Sequence, residues 1–211
     1  LDDKVMRETA ELLLKTNAVT LRTNPPYKWV SGILAPIYTD NRLLLSYPAE
    51  REKILELFLQ VLKTNNITFD VVAGVSTSGI PWAAWIAKNL NKPMVYARSA
   101  EKDHGKGNLI EGKLESGSRV IVIEDLISTG SSSLAAVDAI RKVGCNVECC
   151  VAIFTYELEK AINNFQQADC KLITLTNFST LVEIATGQGY LKDEDKKNVL
   201  EWSKNPDVWG R

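Results

Sequence analysis

The sequence has no long apolar run. Its most continuous stretches, such as Val120–Ile123, are the length of a strand, and a membrane helix needs about 18 or more such residues. It also has no surplus of either charge. With 25 Lys and Arg against 26 Asp and Glu, the net charge is −1. No general basic field invites nucleic acid, and no polybasic run invites an anionic membrane. Histidine is nearly absent: His104 is the only one. The four cysteines, Cys145, Cys149, Cys150 and Cys170, include no C-x-x-C pair, and His104 alone is available to complete a zinc site. Low-complexity segments and internal repeats are missing too. The segment Leu1–Lys15 is charged and amphipathic and lacks the apolar core of a secretory signal.

What remains is ordinary globular material. Of the 211 residues, 45% are hydrophobic and 24% charged. This excludes a disordered chain and fits a single domain over residues 1–211, large enough to bury roughly 70% of its unfolded surface. The cysteines read as small buried hydrophobes in a reducing cytoplasm. Cys149 and Cys150 are adjacent in a strand-like run, so their side chains should face opposite ways.

The order of elements points to a fold. Asp2 or Asp3 caps a first helix along Val5, Thr9, Leu12 and Leu13, a loop covers Thr23–Val30, and a short β-like run covers Ile33–Thr39. Pro48 opens a second helix with Ile54, Leu57, Phe58, Val61 and Leu62 at helical spacing. Strands then alternate with helices. The strands are expected at Phe69–Ala73, Met94–Arg98, Arg119–Glu124, Val147–Thr155 and Lys171–Leu175. The helices are expected at Ile80–Leu90, Ser132–Val143 (closed by Gly144), Glu157–Gln167, Ser179–Gly187 and Asp193–Ser203. Ser99–Lys113 reads as a polar loop. Strands apolar on both faces imply an α/β fold, a mostly parallel sheet flanked by helices. Ligands on such sheets bind beyond the carboxyl ends of the strands, which directs attention to the loops after Ala73, Arg98, Glu124 and Thr155.

The most informative stretch runs Val120-Ile-Val-Ile-Glu-Asp-Leu-Ile-Ser-Thr-Gly-Ser-Ser-Ser133. A buried strand meets two acids, then small hydroxyl residues and a glycine, then a helix. Backbone N–H groups and hydroxyls over Ile127–Ser132 form a nest for a phosphate. No Lys follows Gly130, so this is not the loop of nucleotide triphosphatases. Glu124 and Asp125 would repel an anion set directly before them, but they can accept hydrogen bonds from a sugar diol. A phosphate beside a ribose diol describes a 5-phosphoribosyl group.

Glu124–Ser132 resembles the 5-phosphoribosyl-1-diphosphate motif of the type I phosphoribosyltransferases. Three further segments resemble the orotate phosphoribosyltransferase family. Arg98-x3-Lys102-x-His104-Gly-x-Gly-Asn is similar to its catalytic lid, Ser31-Gly-Ile-Leu-Ala-Pro-Ile-Tyr-Thr-Asp-Asn-Arg42 to its N-terminal segment, and Gly74–Pro81 to its diphosphate-contacting loop. The resemblance implies the type I fold, in which residues 1–45 contribute an N-terminal helix and a small hood over the base. It also implies transfer of ribose 5-phosphate to orotate, giving orotidine 5′-monophosphate and diphosphate for UMP biosynthesis. Lys102, His104, Glu124 and Asp125 are then the catalytic residues. Substrate is held by Arg98, Lys102, His104, Glu124, Asp125, Leu126, Ile127, Ser128, Thr129, Gly130, Ser131 and Ser132, and by Ser31 and Gly32. Ser128 matches the family's orotate-contacting position. Mg²⁺ is bound through diphosphate and ribose hydroxyls, with no dedicated protein ligands. The family is a homodimer whose lid reaches the neighbouring site, with no nucleic-acid or membrane partner. Val30, Ser99 and Tyr156 depart from certain bacterial members, which carry Lys, Lys and Arg near these positions.

Overall fold

The computed structural model describes residues 2–98 and 109–210. Helix α1 (Asp3–Lys15) starts where the Asp2 carboxylate accepts the Lys4 N–H at 3.0 Å. Four very short strands follow: β1 (Val19–Leu21), β2 (Tyr27–Lys28), β3 (Leu34–Ala35) and β4 (Ile37–Thr39). They form two antiparallel pairs, β1 with β4 and β2 with β3. A 3-10 helix (Asn41–Ser46) leads to α2 (Pro48–Thr64), with Pro48 in its first turn.

The body of the molecule continues as β5 (Val71–Val75), α3 (Gly79–Leu90), β6 (Met94–Ala97), β7 (Ile110–Glu111), β8 (Arg119–Ile127), α4 (Ser131–Lys142), β9 (Asn146–Thr155), α5 (Glu159–Gln167), β10 (Lys171–Asn177), α6 (Phe178–Gly187) and α7 (Asp193–Lys204). Six strands form one sheet in the order β10-β9-β8-β5-β6-β7. All neighbours are parallel except β6 and β7.

Alternation along β8 explains why both faces are covered. Ile121 and Ile123 enter one apolar cluster with Leu13 of α1, Phe58 of α2, Trp82 of α3 and Leu181 of α6. Val120 and Val122 enter the other with Val137 and Ile140 of α4 and Phe165 of α5. Cys149 lies in the first cluster and Cys150 in the second, as their adjacency in a strand requires. All four cysteines are free and buried. Among the described residues, no helix is long and apolar enough to cross a membrane.

The structure departs from the sequence reading at several places. β8 runs three residues past Glu124, so both acids lie inside the strand and not at the mouth of a loop. Pairing with β9 carries it that far: Leu126 lies opposite Phe154 and Ile127 opposite Thr155. The segment Ser99–Lys113, read as loop, contains β7, which pairs with Tyr96 and Ala97. The run Ile33–Thr39 is broken at Pro36 into β3 and β4, since proline has no N–H to give a ladder. Tyr27 and Lys28, read as loop, form β2, because two residues are too few to show alternation.

Candidate active site

The sheet order reverses beside β5. The chain passes from β5 to β6 on one side and returns to β8 on the other. This leaves a crevice at the carboxyl ends of β5 and β8, where ligands of open α/β sheets bind. Ser76, Thr77 and Ser78 follow β5 there, and Ser128, Thr129 and Gly130 follow β8. They line a cavity of about 350 Å³ together with Thr39–Arg42, Glu124, Asp125, Leu126 and Ser131–Ser133.

Two helices begin at this cavity. Neither α3 nor α4 has a side-chain cap. Their first-turn N–H groups therefore lack intrahelical acceptors and carry partial positive charge. Two such poles on one cavity suit a ligand with an anionic group at each end. Gly130 makes the second pole possible. It has a φ of +78°, and a Cβ there would sit 2.5 Å from the Phe165 ring. The loop is pinned from α5, where Asn164 Nδ2 donates to the Thr129 carbonyl at 2.9 Å.

The two acids face each other's charge at the cavity floor. Glu124 Oε1 accepts the Asp125 N–H at 3.1 Å, and Glu124 Oε2 accepts from Ser133 Oγ at 3.3 Å. Asn41 is buried, and its Nδ2 donates to the Asp125 carbonyl at 2.8 Å. It ties the segment after β4 to β8. Burial pushes the Glu124 carboxyl well above its ordinary value, and the neighbouring Asp125 charge adds to this. Burial also raises Asp125. At the rim, Arg42 grips Asp40 through two bonds of 2.6 and 2.9 Å. This holds the Asp40 carboxyl low.

A pH dependence follows. With a folded-state value above the unfolded one, the native site holds more protons than the unfolded chain. Stability therefore falls as pH rises above the ordinary carboxylate range of about 4.5. Glu124→Gln is expected to flatten that fall in the unliganded protein. Chemical denaturation at pH 5.5, 7 and 8.5 measures the slope, and an unchanged slope in the variant would remove Glu124 as its source.

A second cavity of about 380 Å³ adjoins the first and shares Thr39, Leu126 and Ser128 with it. Lys28, Trp29, Val30, Ser31, Tyr38 and Tyr156 complete its lining. Its wall is aromatic. Trp29 packs on Tyr156 at 5.1 Å and on Trp202 at 5.3 Å, and the Trp202 indole N–H donates to the Leu34 carbonyl at 3.1 Å. Helix α7 thus braces the hairpin formed by β2 and β3.

The structure brings Glu124, Asp125, Leu126, Ser128, Thr129, Gly130, Ser131 and Ser132 together around the first cavity, and Ser31 lines the second. Three candidates fall elsewhere. Ile127 points into the core and is fully buried, because the strand continues through it. Gly32 lines neither cavity; its N–H closes the hairpin tip on the Trp29 carbonyl at 2.8 Å. Arg98 pairs with Glu111 at 3.5 Å beside the first cavity's strands without lining it. Lys102, His104 and Ser99 lie outside the described residues. Thr39, Asn41 and Arg42 were not singled out as site residues, although they lie within the family-like segment ending at Arg42. Nothing in composition or spacing marked Lys28.

Residues 43–179 match the family model for the phosphoribosyl transferase domain. The chain is 50% identical over 202 residues to the orotate phosphoribosyltransferase of Coxiella burnetii, covering 96% of this chain and 97% of that one. This chain belongs to the orotate phosphoribosyltransferase family. The solved orotate phosphoribosyltransferase of Aeropyrum pernix superposes with a TM-score of 0.75 at 30% identity, over 86% of this chain and 98% of that one. That of Mycobacterium tuberculosis in complex with 5-phospho-α-D-ribosyl 1-diphosphate shares the fold, with a TM-score of 0.64 at 23% identity, over 82% of this chain and 98% of that one.

Proposed function

We propose that this chain transfers the 5-phosphoribosyl group from 5-phosphoribosyl-1-diphosphate to orotate, in the cytoplasm, as a pentosyltransferase of UMP synthesis. The observation that carries the reading is one cavity with two uncapped helix N-termini around a buried and a half-buried acid, opening into an aromatic cavity of about 380 Å³. The Ser128–Ser132 nest takes the 5-phosphate and Ser76–Ser78 the diphosphate. Glu124 and Asp125 accept the ribose hydroxyls. The base lies in the second cavity beside Ser128, with Ser31 at its edge.

The bond from the anomeric carbon to diphosphate breaks as the bond to the pyrimidine nitrogen forms, and the proton of that nitrogen passes to the departing diphosphate. Positive charge gathers on the sugar and negative charge on the leaving group. The chain's contribution is positioning and electrostatics. Asp125 and Glu124 oppose the sugar's charge from below, and the α3 N-terminus meets the diphosphate. Lys102 and His104 neutralise the leaving group.

The acids also test the fit of a divalent cation. Glu124 is buried and Asp125 half-buried, and neither carboxylate has an ion-pair partner among the described residues. These two acids would hold the ribose hydroxyls of a donor that brings Mg²⁺ with it. When bound, Mg²⁺ supplies charge neutralisation at the diphosphate.

Loss of orotate absorbance with the donor and Mg²⁺ tests the activity, with uracil, adenine and xanthine as competing acceptors. Consumption of another base in preference to orotate would overturn the reading. The dimer with a shared lid has its own test. Lys102→Ala and Asp125→Asn are each expected to be nearly inactive. Mixed dimers would hold one site with both defects and one with neither, so subunit exchange should restore up to about half the activity per mixed dimer. Absence of recovery, with exchange confirmed by mass, would place the lid in its own subunit's site.

A further inference from the structure

A pyrimidine bearing a carboxylate brings a negative charge into the cavity that receives it. The second cavity has one charged residue in its lining, Lys28. Among the described residues Lys28 makes no ion pair, and its side chain is exposed. The backbone that carries it is held firmly. Lys28 pairs with Leu34 across the hairpin, and the Trp29 N–H donates to the Ile33 carbonyl at 2.9 Å. The Trp29 ring is fixed by its indole N–H on the Ile37 carbonyl at 3.2 Å and by packing on Tyr156. A free cationic head therefore stands on an anchored Cα beside the cavity.

The rest of the lining does not offer that charge. Trp29, Leu126 and Tyr156 present apolar surface that suits the faces of a flat ring, and Ser31 and Ser128 present hydroxyls. Val30, at the hairpin tip, is fully exposed and uncharged.

We propose that Lys28 is the counter-charge for the carboxylate of the base and sets the preference for a carboxylated pyrimidine over an uncharged one. This rests on the reading of the chain as an orotate-using enzyme. A charge-assisted hydrogen bond is about twice as strong as a neutral one, and the position is exposed enough for salt to weaken it.

The test is steady-state kinetics on Lys28→Ala, Lys28→Gln and Lys28→Arg, each checked for fold by circular dichroism. KM for orotate should rise about tenfold in the Ala and Gln variants and stay within about threefold in the Arg variant. KM for the donor should stay within about twofold, and kcat at saturation near wild type. Inhibition by uracil should be unchanged. Added salt should raise the wild-type KM for orotate and leave that of Lys28→Gln nearly flat. An orotate KM within twofold of wild type in both neutral variants would overturn the proposal. So would an equal rise in the donor KM, which would make Lys28 a general support of the hairpin. A wild-type protein that does not consume orotate would instead overturn the activity, a result read before any variant.

Discussion

Asp125→Asn is expected to lower kcat at least about thirtyfold, equivalent to about 2 kcal/mol of transition-state stabilisation. Asn keeps the shape and one acceptor but not the charge. The backbone of position 125 is held on both sides, by the Glu124 carboxylate on its N–H and by Asn41 on its carbonyl, so the substituted side chain stays in place. Removing a carboxyl whose ionised form is disfavoured by burial should leave the thermal midpoint unchanged or raise it slightly. The wild-type kcat/KM should climb with pH as the coupled acids ionise, and that climb should shrink in the variant. Steady-state rates from pH 6 to 9 measure both effects. Turnover within about twofold of wild type would mean that the charge is not used against the developing cation.

The same residues show how far the sequence could be read. Strand β8 was legible because Val120–Ile123 is apolar without a break, which only a strand covered on both faces tolerates. Its end was misplaced because acids look like a boundary. Here Glu124 stays in the strand by turning its carboxylate onto Ser133 and the Asp125 N–H, a solution that depends on a helix nine residues later. The turn from β8 into α4 was legible because glycine and small hydroxyls cluster at one end of a helix. Ile127 was drawn into it by its place in the motif, yet pairing with β9 turns it into the core. The hood was the least legible part. β2 and β3 have two residues each, and their position depends on contacts from far along the chain. The Trp202 bond to Leu34 spans 168 residues, and no local pattern encodes it.

Gly79→Ala is expected to be among the most damaging single-methyl additions to this fold. Gly79 opens α3 against β8. A Cβ there would overlap the Ile123 carbonyl oxygen and press on the Glu124 Cα, both main-chain atoms of a central strand. No side chain can move aside, so α3 must lift from the sheet. Overpacking of this kind costs up to about 3 kcal/mol, which for a chain this long lowers the melting midpoint by roughly 6–12 °C. Gly187→Ala provides the contrast. It lies at the end of α6, where a Cβ would meet nothing within 4 Å, and should stabilise by about 0.5 kcal/mol through the unfolded chain. The displacement at Gly79 should also reach the site, because Ser76–Ser78 lead directly into α3 and line the first cavity. At temperatures where the variant stays folded, KM for the phosphoribosyl donor should rise more than KM for orotate, whose cavity lies on the far side of Leu126 and Ser128. Thermal melts of the two variants and paired KM measurements decide the matter. Equal midpoints would mean that α3 does not bear on Ile123 as closely as the structure has it. A lower midpoint with the donor KM unchanged would separate the seating of the helix from the binding of the diphosphate.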